Sequence, residues 1–192
     1  MRPRYNIAPT QTVPVIMQWG TQVDFCRWGF IAPWVKSLDE TPAGHTNARQ
    51  ETLEHKPTFK GALKKQRCLI LASGYYEWCN FAGKKQPYFV YLKESPLFAF
   101  AGLWSRWISA QGLEINTCTI ITTAAPTFLH KLHERMPVIL NAQSSRRWLA
   151  KESLDELKSA SATLTQESLG VHPVSTQMNN PRFEGVEAIY AL

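Results

Sequence analysis

The sequence predicts an α+β fold in one domain, a curved and mostly antiparallel β-sheet with barrel-like closure and a few short helices. Between residues 68 and 123, segments rich in β-branched and aromatic residues follow one another, separated by Gly and Pro turns. Only short helical stretches interrupt them. The chain has 192 residues, 44% of them hydrophobic, enough for one buried core, and shows no internal repeat and no domain boundary.

In chain order, Asn6 and Pro9 make an opening turn that leads into a strand at 13–19, a turn at Gly20 and a second strand at 23–27, which read as a hairpin. Trp28 to Trp34 form an aromatic loop in which Pro33 fixes the backbone, and 35–46 is a polar loop. Residues 47–52 are extended, which puts Asn47, Arg49 and Glu51 on one side. A short helix over 59–65 has a solvated face of Lys60, Lys64 and Lys65. The apolar run 68–72 looks buried, and strands are expected at 75–79, 88–92, 97–103 and 116–123, with a turn at 81–87. A helical turn at 127–132 leads to His133-Glu134-Arg135-Met136-Pro137. Asn141 starts a helix to about 150 that buries Trp148 and Leu149, and Ser153 with Glu156 forms a capping box for another through about 159. Residues 160–170 are a loop, 172–175 a short strand, 179–181 a turn, and 186–190 a closing strand.

Composition narrows the function classes. No apolar segment is long enough for a membrane span and the N-terminus lacks a signal core, so a cytoplasmic location is expected. Cys26, Cys68, Cys79 and Cys118 lack ligand spacing and fit reduced core thiols. The 21 Lys and Arg outnumber 15 Asp and Glu, for a net charge of +6, which suits a polyanionic partner without establishing one. Seven tryptophans serve as core fillers or as stacking platforms for unpaired bases.

Three stretches carry candidate chemistry. In Gly74-Tyr75-Tyr76-Glu77-Trp78 a carboxylate stands among aromatics. Lost hydration raises its pKa and makes it a general acid or base; the alternative is an exposed Glu on an amphipathic strand. Asn47 offers a donor and an acceptor, and Arg49 forks onto a phosphate or pairs with Glu51 at the surface. His133 followed by Arg135 at the end of a strand and turn suits proton transfer and anion binding, or a capping His beside a surface Arg. Trp34 beside Pro33 is either a core cap or a wedge against a nucleobase. His130 and His133 lack a third ligand nearby, so no metal is expected.

These motifs, with Arg4-Tyr5-Asn6-Ile7-Ala8-Pro9, Trp28-Gly29-Phe30, Asn47-Ala48-Arg49-Gln50-Glu51-Thr52, Lys85-Gln86-Pro87-Tyr88 and His172-Pro173-Val174-Ser175, keep an order that resembles the SOS response-associated peptidase (SRAP) family over nearly the whole chain. The resemblance implies a DNA damage response protein that binds single-stranded DNA at abasic sites as a monomer, without cofactor or metal. In that family an N-terminal Cys attacks the ring-opened sugar aldehyde and closes a thiazolidine crosslink. The resemblance gives Asn47 the orienting of cysteine or sugar, Glu77 the proton shuttle, and His133 the sugar hydroxyl. It gives Arg49 and Arg135 the phosphates, and Pro9, Trp34, Trp78 and Thr122 the lining of the bent strand. The family begins Met-Cys-Gly-Arg, whereas position 2 here is Arg2. Residues 1–192 are therefore expected to be a truncated SRAP domain or one whose start lies upstream. The competing expectations are a non-catalytic single-stranded DNA binding module and a peptidase that processes its own N-terminus.

Overall fold

The computed structural model describes residues 2–17, 22–81, 83–151, 154, 157 and 164–192. Five strands close a ring: β1 (Thr12–Met17), β2 (Asp24–Trp28), β4 (Arg67–Ala72), β7 (Phe98–Ile108) and β8 (Glu114–Ala124). Their order is β7-β4-β1-β2-β8, and β8 returns to β7. All the ring pairings are antiparallel except β2 with β8. This is the barrel-like, mostly antiparallel sheet expected.

Period-2 alternation fills the lumen. In β1, Val13, Val15 and Met17 point inward, and Cys26, Cys68, Ile70, Phe100, Trp104, Cys118 and Ile120 meet them. Strand β4 from Cys68 to Ile70 and β7 from Phe98 to Trp104 are buried on both faces, which explains their unbroken apolar runs. Cys68 and Ile70 face the lumen, while Leu69, Ala99, Ala101 and Leu103 pack outward beneath the helices. Gly102 is a close-approach glycine, since a Cβ there would lie 2.9 Å from Ile70 Cδ1.

Helices α1 (Pro57–Lys65) and α2 (Ala142–Leu149) cover that outer face. Pro57 occupies the first turn of α1, where its missing N–H costs nothing. Asn141 caps α2, its Oδ1 accepting from the Ser144 amide at 2.8 Å. Trp148 is fully buried and donates from Nε1 to the Cys68 carbonyl at 3.0 Å, and the Arg67 guanidinium lies 4.3 Å from its ring centroid.

Strand β8 has partners on both edges. One edge takes β2 at 117–118 and then, in parallel, β3 (Asn47–Arg49) at 120–122. The other takes β7 as far as the Gly102–Ile120 pair. Beyond it β7 and β8 part, and β9 (Arg135–Pro137) and β10 (Ile139–Leu140) fill the gap, on β8 and β7 respectively. Val138 joins the two, donating to the Ile121 carbonyl and accepting from the Ala101 amide, each at 2.9 Å.

A second, three-stranded antiparallel sheet, in the order β11-β6-β5, comprises β5 (Tyr75–Phe81), β6 (Lys84–Leu92) and β11 (Leu169–Pro173). Tyr75 turns toward the barrel, its ring 6.0 Å from that of Phe100. On the other face Tyr76 Oη donates to the Tyr5 carbonyl at 2.6 Å and Trp78 Nε1 to Asn179 Oδ1 at 2.8 Å. The N-terminal segment crosses this face, with buried Asn6 donating to the carbonyls of Met178 and Asn180.

Several expectations need adjustment. Strands β5 and β6 extend through most of the expected 81–87 turn, because Gly83 at φ +78° allows a tight reversal. Strand β7 continues through Trp104 and Trp107, both buried by pairing with β8. Arg49 ends β3, and Gln50–Thr52 form a 3-10 turn, so Glu51 leaves the strand. The expected closing strand is a 3-10 turn, Val186–Ile189. There the Ala188 and Tyr190 amides bond three residues back, and Ala188 is buried. The capping box at Ser153 and Glu156, the Gly20 turn and residues 160–163 of the expected 160–170 loop lie outside the described residues, and the end of that loop, Leu169 and Gly170, is already strand. No helix among those described is long and apolar enough to cross a membrane.

Trp148→Ala empties a fully enclosed site and strips a carbonyl of its donor, so it should cost about 3–5 kcal/mol in urea unfolding. Leu113→Ala, at a side chain 59% exposed, should stay within about 0.5 kcal/mol.

Candidate active site

Where β8 carries β3 on one edge and β9 on the other, the chain leaves a cleft of about 360 Å³. Asn47, Arg49, Glu77, Thr122, His133 and Arg135 all line it. These six come from β3, β5, β8, β9 and the segment before β9. Pro9, Trp34 and Trp78 lie outside this lining. Trp34 is 60% exposed beside Val35, whose carbonyl accepts from Trp107 Nε1. Trp78 is on the face of β5 opposite Glu77, and Pro9 is exposed ahead of β1.

In β3, alternation buries Ala48 in the core and turns Asn47 and Arg49 outward. Among the described residues neither the Asn47 amide nor the Arg49 guanidinium has a hydrogen-bond or ion-pair partner, so both are free toward the cleft.

Glu77 is half-buried on the inner face of β5. A small hollow beside it is lined by Tyr75, Val90, Leu129 and Leu132, together with His133 and Arg135. Burial pushes its carboxyl above the usual range; the His133 charge and a hydrogen bond from the Trp78 backbone offset part of that rise. Its apolar surroundings differ from those inferred from sequence. Tyr76 and Trp78, its chain neighbours, point to the opposite face, and Leu129 and Leu132 of the 127–132 turn supply the wall.

His133 Nδ1 lies 3.0 Å from both the amide nitrogen and the carbonyl oxygen of Arg135. A neutral ring accepts from the amide and carries its proton on Nε2; a protonated ring donates to the carbonyl. The imidazole thus has a backbone partner in either charge state, as a proton-transfer group needs. His130 Nε2 bonds instead to the Ala125 carbonyl at 2.8 Å. Among the described residues no three His, Cys, Asp or Glu side chains gather to hold a metal ion.

Arg135 is the most heavily bonded group in the cleft. Its Nη1 and Nη2 donate to the two carboxylate oxygens of Glu51 at 2.7 and 3.0 Å, and Nη2 also donates to the Thr122 carbonyl at 2.7 Å. These bonds hold the Glu51 carboxyl below its usual range. Glu51 pairs with Arg135, and not with Arg49 as sequence proximity proposed, because the 3-10 turn carries it over to β9.

His45, Lys56 and Thr58 also line the cleft and were missed in the sequence. Pro57 at the first helical position marks where α1 begins and could have located Lys56 and Thr58. His45 pairs with Phe30 across a single bridge and carried no local signal.

The raised Glu77 pKa links the site to stability. A carboxyl whose folded pKa lies above its unfolded value favours folding at low pH, and that contribution is lost as pH rises through the folded pKa. Glu77→Gln should therefore raise Tm relative to the parent at pH 8, with the gain shrinking toward pH 4. An equal effect at both pH values would contradict the burial of an ionised carboxylate.

Known proteins resemble this chain over most of its length. The family model described as SOS response associated peptidase (SRAP) matches residues 1–181. Abasic site processing protein YoaM of Bacillus subtilis is 38% identical, over 99% of this chain and 86% of its own length. Abasic site processing protein HMCES of Gallus gallus is 31% identical, over 98% of this chain and 66% of its own. A crystal structure of a Bacteroides thetaiotaomicron protein superimposes with a TM-score of 0.85 at 28% identity, covering 95% of this chain and 82% of that one. On this match and these relatives, the chain belongs to the SOS response associated peptidase (SRAP) family.

Proposed function

We propose that this protein acts in the DNA damage response by binding single-stranded DNA at abasic sites, with the sugar of the lesion seated in the cleft between β3, β5 and β9. The observation that carries this is the meeting of Glu77, a carboxyl of raised pKa, with His133, Asn47 and Arg49 in one cleft. The abasic-site processing named for its relatives supports the same reading. The protein works as a cytoplasmic monomer that joins the nucleoid when bound to DNA.

Each group has a task suited to its chemistry. Arg49 and Arg135 take phosphates, Asn47 positions the sugar, and Thr122 lines the strand beside it. Pro9, Trp34 and Trp78 lie along the strand outside the cleft, the two indoles stacking on bases without reading sequence. His133 takes the proton of the C1 hydroxyl and returns one to the ring oxygen as the bond between that oxygen and C1 breaks, freeing the aldehyde. An amine then adds to the aldehyde carbon, and Glu77 delivers the proton with which the hydroxyl leaves as water, giving the Schiff base. The thiol on the same residue as that amine adds to the imine carbon, its proton passing to the imine nitrogen, and closes the thiazolidine.

That last step requires a thiol and a free α-amine on one residue. Cys26, Cys68, Cys79 and Cys118 all have their α-nitrogen in a peptide bond, so none of the four supplies it. The crosslink and self-processing are accordingly proposed for a form of the chain fronted by Met-Cys-Gly-Arg, and weak abasic-site lyase chemistry for the chain as it stands. The residues present here bind the strand and move the protons.

A denaturing gel tests this, using a single-stranded oligonucleotide with one abasic site and the chain with and without the Met-Cys-Gly-Arg front. A heat-stable shifted band should form with the fronted chain. Glu77→Gln should slow its formation about 100-fold while leaving strand affinity unchanged. If Glu77→Gln instead weakens only affinity, the protein is a binding module without catalysis. No shifted band and no cleaved strand in either form would contradict the proposal.

A further inference from the structure

The charges of the cleft do not all face a ligand. Arg49 and Lys56 line it without an ion pair among the described residues, Arg49 acting on Glu51 only at longer range, whereas Arg135 is directly bonded to Glu51. The carboxylate takes both terminal nitrogens of the guanidinium, in the two-point geometry that a phosphate would use. The two partners differ in freedom. The Arg135 side chain is 22% exposed and is tied through Nη2 to the carbonyl and, at 3.3 Å, the hydroxyl of Thr122. The Glu51 side chain is 52% exposed and, among the described residues, is hydrogen-bonded to no side chain but Arg135. If the pair opens, Glu51 swings into solvent and Arg135 stays aimed at the cleft.

Building on the strand-binding reading, we propose that Glu51 is a specificity-determining residue: it occupies the Arg135 fork as an internal competitor that a backbone phosphate must displace. An intact strand, with no sugar seated beside Glu77 and His133, gains little for displacing it. A strand with an abasic sugar gains the contacts of the whole cleft and displaces it. Glu51 thereby lowers affinity for undamaged single strands more than for damaged ones.

The test compares binding of the parent chain, Glu51→Gln and Glu51→Asp to two oligonucleotides of one sequence, intact and with a single stable abasic analogue, across a salt series. Glutamine keeps the shape but loses the charge, so Glu51→Gln should bind the intact strand about 5-fold tighter, with the slope of log K against log salt steeper by about 0.7 for one added phosphate contact. Affinity for the abasic strand should change less, narrowing the preference between the two. Glu51→Asp keeps the charge but shortens the reach, and should fall between the other two. If Glu51→Gln binds the intact strand no tighter and with the parent's slope, the proposal is overturned and Glu51 is only a brace. Weaker binding with unchanged preference overturns it too. If none of the three proteins binds either strand, the strand-binding reading falls and this inference falls with it, an outcome distinct from normal parent binding that the variants leave unaltered.

Discussion

Strand β8 is hydrogen-bonded along both edges, and the cleft follows from how those edges are shared. An antiparallel strand in a closed ring ordinarily has one neighbour per side. Here β7 turns away after the Gly102–Ile120 pair, leaving an edge that would expose unpaired backbone groups. Residues 135–140 satisfy it, and in doing so carry His133 and Arg135 to one side of Thr122. Parallel pairing of β3 on the opposite edge brings Asn47 and Arg49 to the other side. Backbone hydrogen bonding therefore fixes the spacing of four cleft side chains before any of them contacts another.

Glu77 arrives by a separate route, on a sheet that packs against the barrel through Tyr75 and is held from behind by the N-terminal segment and the Met178–Asn180 turn. Its elevated pKa is a result of tertiary packing. The apolar side chains around it come from β6 and the 127–132 turn as well as from β5. Two chemistries are kept apart in one cleft. Arg135 is paired with a carboxylate held low, while Glu77 is left partly desolvated beside an imidazole with backbone partners in both charge states.

Much of this was legible in the sequence. β-rich runs and turn residues gave the barrel-like sheet, and the order of short motifs gave the family. Six of the nine residues singled out converge on the cleft. What local pattern missed depends on distance along the chain. The Glu51–Arg135 pair spans 84 positions, and Glu51 sits on a 3-10 turn that alternation read as strand. The neighbours of Glu77 in sequence suggested an aromatic cage, yet period-2 geometry sends Tyr76 and Trp78 to the other face. The Val186–Ile189 turn alternates like a strand, but among the described residues just an isolated bridge, between Val174 and Ala191, lies beside it, so local hydrogen bonds prevail.

The central claim, that the cleft flanking Thr122 receives the abasic sugar, is tested most directly by a crystal structure with a short single strand carrying a stable abasic analogue. The account predicts the baseless sugar within hydrogen-bond reach of Asn47 and His133, its reactive carbon facing Glu77, and a flanking phosphate on Arg49. A strand bound elsewhere on the surface, with the cleft empty, would contradict it.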